Sequence, residues 1–185
     1  MGKSVTASLL RLLKIPVHDS DAAVHEMMAP GGAAFKEVIK AFPKAYDKKR
    51  NRIDRAVLGK IVFEKPLERK KLEAIIHPHV WASQKIFIHK CRRMGVKRIV
   101  LDIPLLYETG GERKCNLVMV VTAPSFLQRQ RVLKRAGMTE ERFSSILKNQ
   151  IPDREKRRRA DIVIQTGMGR SFTLKALKQI FKIGA

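Results

Sequence analysis

Apolar segments that alternate with amphipathic ones are the feature that most constrains the fold of this chain. RIVLDIP at 98–104 is an apolar run interrupted by one Asp, NLVMVVTAP at 116–124 is another, and DIVIQTG at 161–167 has an apolar centre. All three are predicted to be strands buried on both faces. IPVHD at 15–19 is a shorter strand with a polar end. Because helical segments separate these strands, the sequence predicts an α/β fold with a parallel sheet covered by helices.

The ends of the predicted strands mark where a ligand would bind. In parallel sheets flanked by helices, ligands bind outside the carboxyl ends of the strands. This rule selects Asp19, residues 102–104, Thr122 and residues 165–167. We expect these positions to lie at the rim of a binding site.

The remaining segments are predicted from periodicity, caps and breakers. A segment at 46–54, YDKKRNRID, reads as a polar loop, and His77-Pro78 reads as a break between two helices. Ser20 is the predicted cap of the second helix, and Thr139 begins another. The predicted helices cover 5–13, 21–28, 33–42, 55–63, 67–76, 80–93, 125–135, a segment after Thr139, and 171–181.

The net charge of +22 over 185 residues admits three interpretations: nucleic-acid binding, a pocket for a polyanionic small molecule, or a solvated basic surface. The charge is spread over 48–52, 68–71 and 154–159, with few aromatic residues among it. We therefore interpret most of it as surface charge and expect a minority of the arginines to bind anions. No apolar run reaches the length of a membrane span, and two cysteines suit a reducing cytoplasm.

Gly2-Lys3-Ser4 matches the end of the phosphate-binding motif G-x-x-x-x-G-K-[ST]. The tripeptide alone is weak, but it opens a predicted helix, whose amino-terminal amides and dipole favour phosphate. Phosphoryl transfer requires a cation on the phosphates, an oxygen ligand for Mg²⁺ and a carboxylate at the acceptor hydroxyl. Lys3, Ser4 and the pair Asp19 and Asp21 are candidates for these roles.

For several candidates, the residues alone leave two interpretations open. Asp21 fits a catalytic carboxylate and an ordinary first-turn acid equally well. Asp102, at the end of a buried strand, is either a hydrogen-bonded buried acid or a partner for Mg²⁺ or its waters. His77 fits a helix break more often than a ligand contact. Arg131 and Arg135, four apart, either clamp phosphates or form a solvated basic face.

A resemblance to a known family follows from motifs that occur in a fixed order. IPVHDSDAAVHEMMAPGGAA, RIDRAVLGKIVF, LEAIIHPHV, VLDIPLLYETG, VTAPSFLQRQRVLKRAGMTEE, ILKNQ and KRRRADIVIQTG together resemble dephospho-CoA kinases over essentially the whole chain. The resemblance implies ATP-dependent phosphorylation of the ribose 3′-hydroxyl of dephospho-CoA, the last step of coenzyme A synthesis, with Mg²⁺. It also implies a P-loop kinase-like parallel sheet flanked by helices, with a helical substrate subdomain and a lid.

The same resemblance assigns residues to roles. Asp21 and Lys3 are implied to be catalytic, and Ser4 and Asp102 to serve the metal. Implied ATP contacts are Gly2, Lys3, Ser4, Val5, Arg131 and Arg135, with Lys156 at a basic lid position. Implied substrate contacts are Asp19, His77, Pro104, Leu105 and Glu108.

The chain departs from the family pattern at three places. Val5 stands where the family usually has Thr, and Ser20 replaces the usual Ala between the two aspartates. The chain also begins inside the phosphate-binding loop, so the first strand and the first half of the loop precede Met1 in the family. We expect either a start codon assigned about ten residues too late or a true truncation with little activity.

With the resemblance, the expected protein is a cytoplasmic, monomeric ATP-dependent enzyme with dephospho-CoA as the implied substrate and no obligatory nucleic-acid or membrane partner. The expected layout is a single domain with a core of 1–28, 96–130 and 160–185, a helical substrate region of 29–95 and a lid of 131–159. The alternatives are another P-loop nucleoside or nucleotide kinase, and a non-enzymatic basic protein that binds nucleic acid.

Overall fold

The computed structural model describes residues 2–183, which form two compact units. Unit 1 combines residues 2–17 with residues 104–183, and unit 2 contains residues 18–103. In the part of the chain that is described, no helix has both the length and the apolar character needed to cross a membrane.

Helices and strands are interspersed along the chain. The elements, in chain order, are α1 (Lys3–Leu12), β1 (Val17–Asp19), α2 (Ser20–Met27), α3 (Phe35–Ala41), β2 (Tyr46–Asp47), β3 (Arg52–Ile53), α4 (Arg55–Glu64), α5 (Pro66–Arg93), β4 (Val100–Asp102), β5 (Met119–Thr122), α6 (Ser125–Leu133), α7 (Glu140–Lys148), α8 (Asp153–Arg159), β6 (Ile162–Gln165) and α9 (Arg170–Phe181). Short 3₁₀ turns lie at Pro43–Ala45 and Gly111–Lys114. The α/β class is therefore confirmed.

The strand pairs place the carboxyl ends of two strands side by side. β5 and β6 are parallel, with Met119 opposite Ile162 and Thr122 opposite Gln165. β1 pairs with β4. In unit 1, α9 packs against β6 and against α1, and the interior includes Leu9, Leu10 and Leu177, each at most 1% exposed. This packing explains why α1 forms where the leucine pattern predicts a helix.

Unit 2 is built around α5, which packs against α2, α3 and α4. Its core is continuous and apolar, with the buried residues Met27, Ala34, Phe35, Val38, Phe42, Ala45, Ile53, Leu58 and Ile76. Burial of this many apolar side chains is the main stabilising contribution to the unit.

The predicted break at His77-Pro78 is wrong, because α5 continues through Pro78. A proline inside a helix loses one backbone hydrogen bond and costs roughly 3 kcal/mol. On one side of Pro78, Ile76 is a buried core residue, and on the other Val80 packs against the same core. The packing of both halves on one core offsets the local cost.

The predicted polar loop at 46–54 is also wrong in part, because it contains the antiparallel pair β2 and β3. Side chains close the turn between them. The Tyr46 hydroxyl donates to the Asn51 side-chain oxygen at 2.8 Å, and the Arg50 backbone N–H donates to Asp47 at 3.2 Å. Asn51 takes a positive φ of 47°, which asparagine tolerates better than most residues.

One of the two predicted helix caps is confirmed and the other is wrong. Thr139 caps α7 as expected and accepts a hydrogen bond from the Arg142 backbone N–H at 3.2 Å. At α2 the cap is Asp19 rather than Ser20, because the Asp19 carboxylate accepts from the Ala22 backbone N–H at 3.0 Å. The Ser20 side chain instead points into a buried polar network.

Candidate active site

The start of α1 makes a close contact with the loop after β6. Gly2, the residue before α1, has a φ of +92°. A Cβ atom on Gly2 would lie 2.5 Å from Thr166 Oγ1 and 2.8 Å from Thr166 Cβ. Only glycine satisfies both the backbone conformation and this approach.

Thr166 in turn is fixed to the end of β5. Its backbone N–H and its hydroxyl both donate to the Thr122 carbonyl oxygen, at 2.8 and 2.9 Å. Gly2, Thr122 and Thr166 therefore meet beyond the carboxyl ends of the β5 and β6 pair. Thr122 and the 165–167 segment are two of the four rim positions that the strand-end rule predicted, and the structure brings them together.

This arrangement makes the amino terminus of α1 suited to bind an anion. Lys3, Ser4 and Val5 form its first turn, and the first-turn N–H groups of a helix have no intrahelical acceptor. Gly2 has no side chain that could cap the helix, and the positive end of the helix dipole favours an anion at this position. A phosphate at this end would accept hydrogen bonds from the amides.

Replacing Gly2 with alanine should disrupt this contact. We expect Gly2→Ala to lower the midpoint of thermal unfolding and to weaken nucleotide binding, because the methyl group must displace Thr166 and the positive φ becomes strained. Gly59→Ala is the matched control, since Gly59 lies within α4 with no atom near its Cβ position. The control should be neutral or stabilising by about 0.5–1 kcal/mol. Equal unfolding midpoints for Gly2→Ala and the wild type would contradict the close-contact argument.

In unit 2, the two aspartates near α2 occupy different environments. Asp19 ends β1, and its carboxylate caps α2. Asp21 lies in the first turn of α2 and is exposed. The exposure of Asp21 makes its carboxylate sterically accessible to a substrate hydroxyl. One oxygen of Asp19 accepts the capping hydrogen bond.

Asp102 and His77 are the other candidates in unit 2. Asp102 ends β4 and is 8% exposed, as expected for an acid at the end of a buried strand. His77 lies within α5, and its ring stacks on Trp81 with 6.1 Å between centroids. Since α5 is unbroken, His77 is not a helix-break residue, and its half-buried ring leaves an edge for a contact.

A buried histidine next to Asp19 was missed in the sequence. His18 is 8% exposed, its Nε2 lies 3.0 Å from Ser83 Oγ, and its Nδ1 lies 3.4 Å from Ser20 Oγ. Gln84 donates to the same Ser20 hydroxyl at 3.2 Å. Burial lowers the pKa of His18, and the charge of Asp19 opposes this only in part. A lone histidine in an apolar strand gives no signal for such a network.

The lowered pKa of His18 predicts a pH dependence of stability. The unfolded chain takes up a proton at the ordinary histidine pKa of 6.5, before the folded chain does. The free energy of unfolding should therefore fall as pH falls below 6.5 towards the lowered pKa of the folded state. Urea titrations at pH 7.5, 6.5 and 5.5 would measure this.

The variant His18→Gln should flatten that dependence, and His89→Gln, which removes an exposed histidine of α5, should retain it. A wild-type slope in His18→Gln would show that another group controls the pH dependence.

The segment from Pro104 to Glu108 belongs to unit 1. Leu105 is 44% exposed and has a φ of +54°, an uncommon conformation for leucine that often marks a functional position. Glu108 is largely enclosed and forms an ion pair with Lys156 at 2.8 Å. One carboxylate oxygen, Oε1, is therefore engaged by protein groups, whereas the buried Oε2 has no hydrogen-bond partner among the described residues.

The two candidate arginines of unit 1 lie at the end of α6. Arg131 is in the last turn, but the helix ends at Leu133. The prediction that both arginines share one helix face is therefore wrong for Arg135, whose N–H closes a turn onto Val132 at 3.0 Å. Both are exposed, and neither forms an ion pair with another described residue.

The predicted site residues divide between the units. Unit 1 carries Gly2, Lys3, Ser4, Val5, Pro104, Leu105, Glu108, Arg131 and Arg135, and unit 2 carries Asp19, Asp21, His77 and Asp102. Within unit 1, the glycine and the first turn of α1 lie at the strand ends. Asp153, which contacts Thr122 there, was not identified from the sequence, where it directly precedes the basic run at 154–159.

The donors at the start of α1 fit Mg²⁺ that is bound together with a nucleotide. Across residues 2–183 there is no group of three or more His, Cys, Asp or Glu side chains that could hold a metal ion. Mg²⁺ does not need such a group, because it commonly uses one or two protein ligands together with substrate phosphates and water. The Ser4 hydroxyl in the uncapped first turn of α1 is a suitable donor of that kind.

Comparisons with known proteins identify the family of the chain. A family model described as dephospho-CoA kinase matches residues 1–170. A dephospho-CoA kinase of Paramagnetospirillum magneticum is 50% identical over 157 residues, which cover 85% of this chain and 73% of that protein. A dephospho-CoA kinase of Rhodospirillum rubrum is 45% identical over 178 residues, with coverages of 96% and 84%.

Solved structures show the same fold. A crystal structure of a Thermus thermophilus protein matches with a TM-score of 0.82 and 32% identity, covering 100% of this chain and 92% of that one. A dephospho-CoA kinase from Campylobacter jejuni matches with a TM-score of 0.69 and 26% identity, covering 98% and 92%. With the family match over most of its length, this chain belongs to the dephospho-CoA kinase family.

Proposed function

We propose that this protein transfers the terminal phosphoryl group of ATP to the ribose 3′-hydroxyl of dephospho-CoA and so forms coenzyme A and ADP. The observation that carries the proposal is the uncapped start of α1, where Gly2 packs on Thr166 and the first turn presents Lys3 and Ser4. Family membership supplies the acceptor.

The roles follow from the chemistry of phosphoryl transfer. The first-turn amides and Lys3 bind the transferring phosphates and stabilise their negative charge. Asp21 accepts the proton of the 3′-hydroxyl, as its exposure permits. Mg²⁺, when bound, neutralises phosphate charge; Ser4 is the residue that would hold it, and the family resemblance adds Asp102.

The remaining assignments rest on the family resemblance. By this resemblance, Asp19, His77, Pro104 and Leu105 contact dephospho-CoA. The resemblance also assigns Glu108 to the substrate site, although its carboxylate pairs with Lys156. Residues 29–95 form the substrate region, residues 131–159 the lid, and residues 1–28, 96–130 and 160–185 the core. The protein acts in the cytoplasm as a monomer that needs no nucleic acid or membrane.

The arginines of the lid region should matter more than the other basic residues. We expect Arg131→Ala and Arg135→Ala each to raise the KM for ATP or lower kcat, because water does not replace a bidentate phosphate contact. Neutralising Lys48, Lys49 and Arg50, which lie in the turn between β2 and β3, is the control and should change little. Equal effects on the initial rate from both sets would mean that the net charge acts as a diffuse field.

A panel of acceptors tests the proposed function against its alternatives. The protein is incubated with MgATP and, separately, dephospho-CoA, a nucleoside, a nucleoside monophosphate and no acceptor, and ADP formation is measured. Faster ADP formation with dephospho-CoA alone supports the proposal. A preference for a nucleoside or its monophosphate would identify another kinase, and salt-dependent binding of generic RNA without ADP formation would identify a nucleic-acid-binding protein.

A further inference from the structure

The basic run at 154–159 is not a uniformly solvated charge cluster. It forms most of α8, and four of its five cations make ion pairs: Lys156 with Glu108, Arg157 with Asp153, Arg158 with Glu155, and Arg159 with Glu112. The pairs of Arg157 and Arg158 are within the helix and long, at 3.9 and 3.6 Å. Those of Lys156 and Arg159 connect α8 to the segment that follows β4.

The Glu108–Lys156 pair is the most enclosed of these. The two side chains are only 15% and 21% exposed, and Glu108 Oε1 lies 2.8 Å from Lys156 Nζ. The same oxygen accepts the Ile151 backbone N–H at 3.0 Å. Burial raises the pKa of Glu108, but the Lys156 hydrogen bond, backbone hydrogen bonds and the Lys156 charge together leave it below its ordinary value. The carboxylate is thus held in its charged form.

A second contact joins the same two segments. Arg159 donates to Glu112 at 2.9 Å, and its guanidinium lies 4.4 Å from the centroid of the buried Tyr107 ring. Tyr107, Glu108 and Glu112 are all on the segment after β4. The carboxyl-terminal half of α8 is therefore fixed to this segment through both of its partly enclosed cations.

The other end of α8 reaches the strand ends described above. Thr122 Oγ1 lies 2.9 and 2.8 Å from the two carboxylate oxygens of Asp153, and Thr122 is only 2% exposed. The Thr122 carbonyl holds Thr166, and Thr166 contacts Gly2. A continuous set of contacts within unit 1 therefore runs from Glu108 through α8 to the start of α1.

We propose that Glu108 is a positioning residue which, through its ion pair with Lys156, docks α8 so that Asp153 is held on Thr122 beside the phosphate-binding end of α1. Glu108 then acts through α8 rather than by touching the substrate. Lys156 likewise serves the structure of the lid region rather than binding ATP. The kinetic part of this inference rests on the proposed function, but the docking part does not.

Hydrogen exchange on the substrate-free protein tests the docking directly. The variants are Glu108→Gln, Lys156→Gln and the double variant, with Arg158→Gln as the control because its side chain is 82% exposed. Loss of a partly buried, charge-assisted contact should speed amide exchange in residues 151–159 by roughly tenfold in either single variant. The double variant should exchange no faster than the singles, since both changes remove one shared contact.

The Ile151 amide separates the two interactions of Glu108. Glutamine keeps an oxygen that can accept from Ile151, whereas Glu108→Ala removes it, so exchange at Ile151 should be faster in Glu108→Ala than in Glu108→Gln. Wild-type exchange in Glu108→Gln and Lys156→Gln, or effects that add in the double variant, would overturn the docking. If one single variant does not fold, the other removes the same pair from the opposite side.

Steady-state kinetics tests the positioning. If loss of the ion pair leaves α8 less ordered, ATP binding must order it. Both single variants should then raise the KM for ATP several-fold and change kcat by less than about twofold. Faster exchange with an unchanged KM would overturn the positioning role. A wild-type protein that does not phosphorylate dephospho-CoA would refute the proposed function, while the exchange data would still decide the docking.

Discussion

Asp21→Asn is expected to lower kcat for dephospho-CoA phosphorylation by roughly 10²–10⁴-fold, because loss of a positioned general base typically costs that much. The amide is similar in size to the carboxylate but cannot accept the hydroxyl proton. The KM for ATP should change little, since the role proposed for Asp21 concerns the acceptor. Initial rates at saturating ATP and a range of dephospho-CoA concentrations would measure both quantities.

Glu64→Gln is the control for this experiment, because it neutralises another exposed carboxylate of unit 2. It should retain wild-type kcat. Near-normal turnover in Asp21→Asn would exclude the base role, and a large loss in both variants would indicate a general effect of charge.

Lys3→Gln should produce the second large loss. Lys3 is the first residue of α1, where the dipole and the amides already favour phosphate. In the proposed mechanism its ammonium group stabilises the charge that develops on the phosphates, and removing one such group costs on the order of 10²–10³-fold in catalysis. We therefore expect a loss of that size in kcat/KM for ATP, measured by initial rates.

The control lies on the same helix. Arg11→Gln removes a cation from the last turn of α1, at the opposite end from the phosphates, and should leave kcat/KM within about twofold of wild type. A comparable loss in Arg11→Gln would mean that positive charge anywhere on α1 suffices, and that the position of Lys3 is not special.

The strands of this fold were predictable because their signal is local. The apolar runs around β5 and β6 are short, and each is bounded by a polar or turn-forming segment. Their parallel pairing also follows from the alternation with helices. The rim rule then identified Thr122 and the residues around Thr166, which are in contact.

Two wrong predictions have different physical causes, which are packing on a distant core in one case and local side-chain hydrogen bonds in the other. Pro78 signals a helix break, but the core that receives Ile76 and Val80 keeps α5 continuous. The turn at 47–51 is polar, but hydrogen bonds from Tyr46 and to Asp47 close it into a hairpin. Neither set of contacts can be deduced from residue types alone.

The candidate site likewise contains residues that the sequence identified and residues whose contacts it could not reveal. Gly2, Lys3 and Ser4 were found because their motif is contiguous, and the helix they open is present. The role of Glu108 could not be derived from the residues, since its partners Lys156 and Ile151 lie far along the chain. A run of basic residues reads as surface charge until the carboxylates that pair with it are known.

Identification of the phosphorylated product tests the central claim most directly. The protein is incubated with MgATP and dephospho-CoA, ADP is quantified, and the product is examined by ³¹P nuclear magnetic resonance and mass spectrometry. One equivalent of ADP is expected for each equivalent of product, with a new phosphomonoester on the ribose 3′-oxygen. ADP formation that does not depend on dephospho-CoA, or a phosphate on any other position, would contradict it.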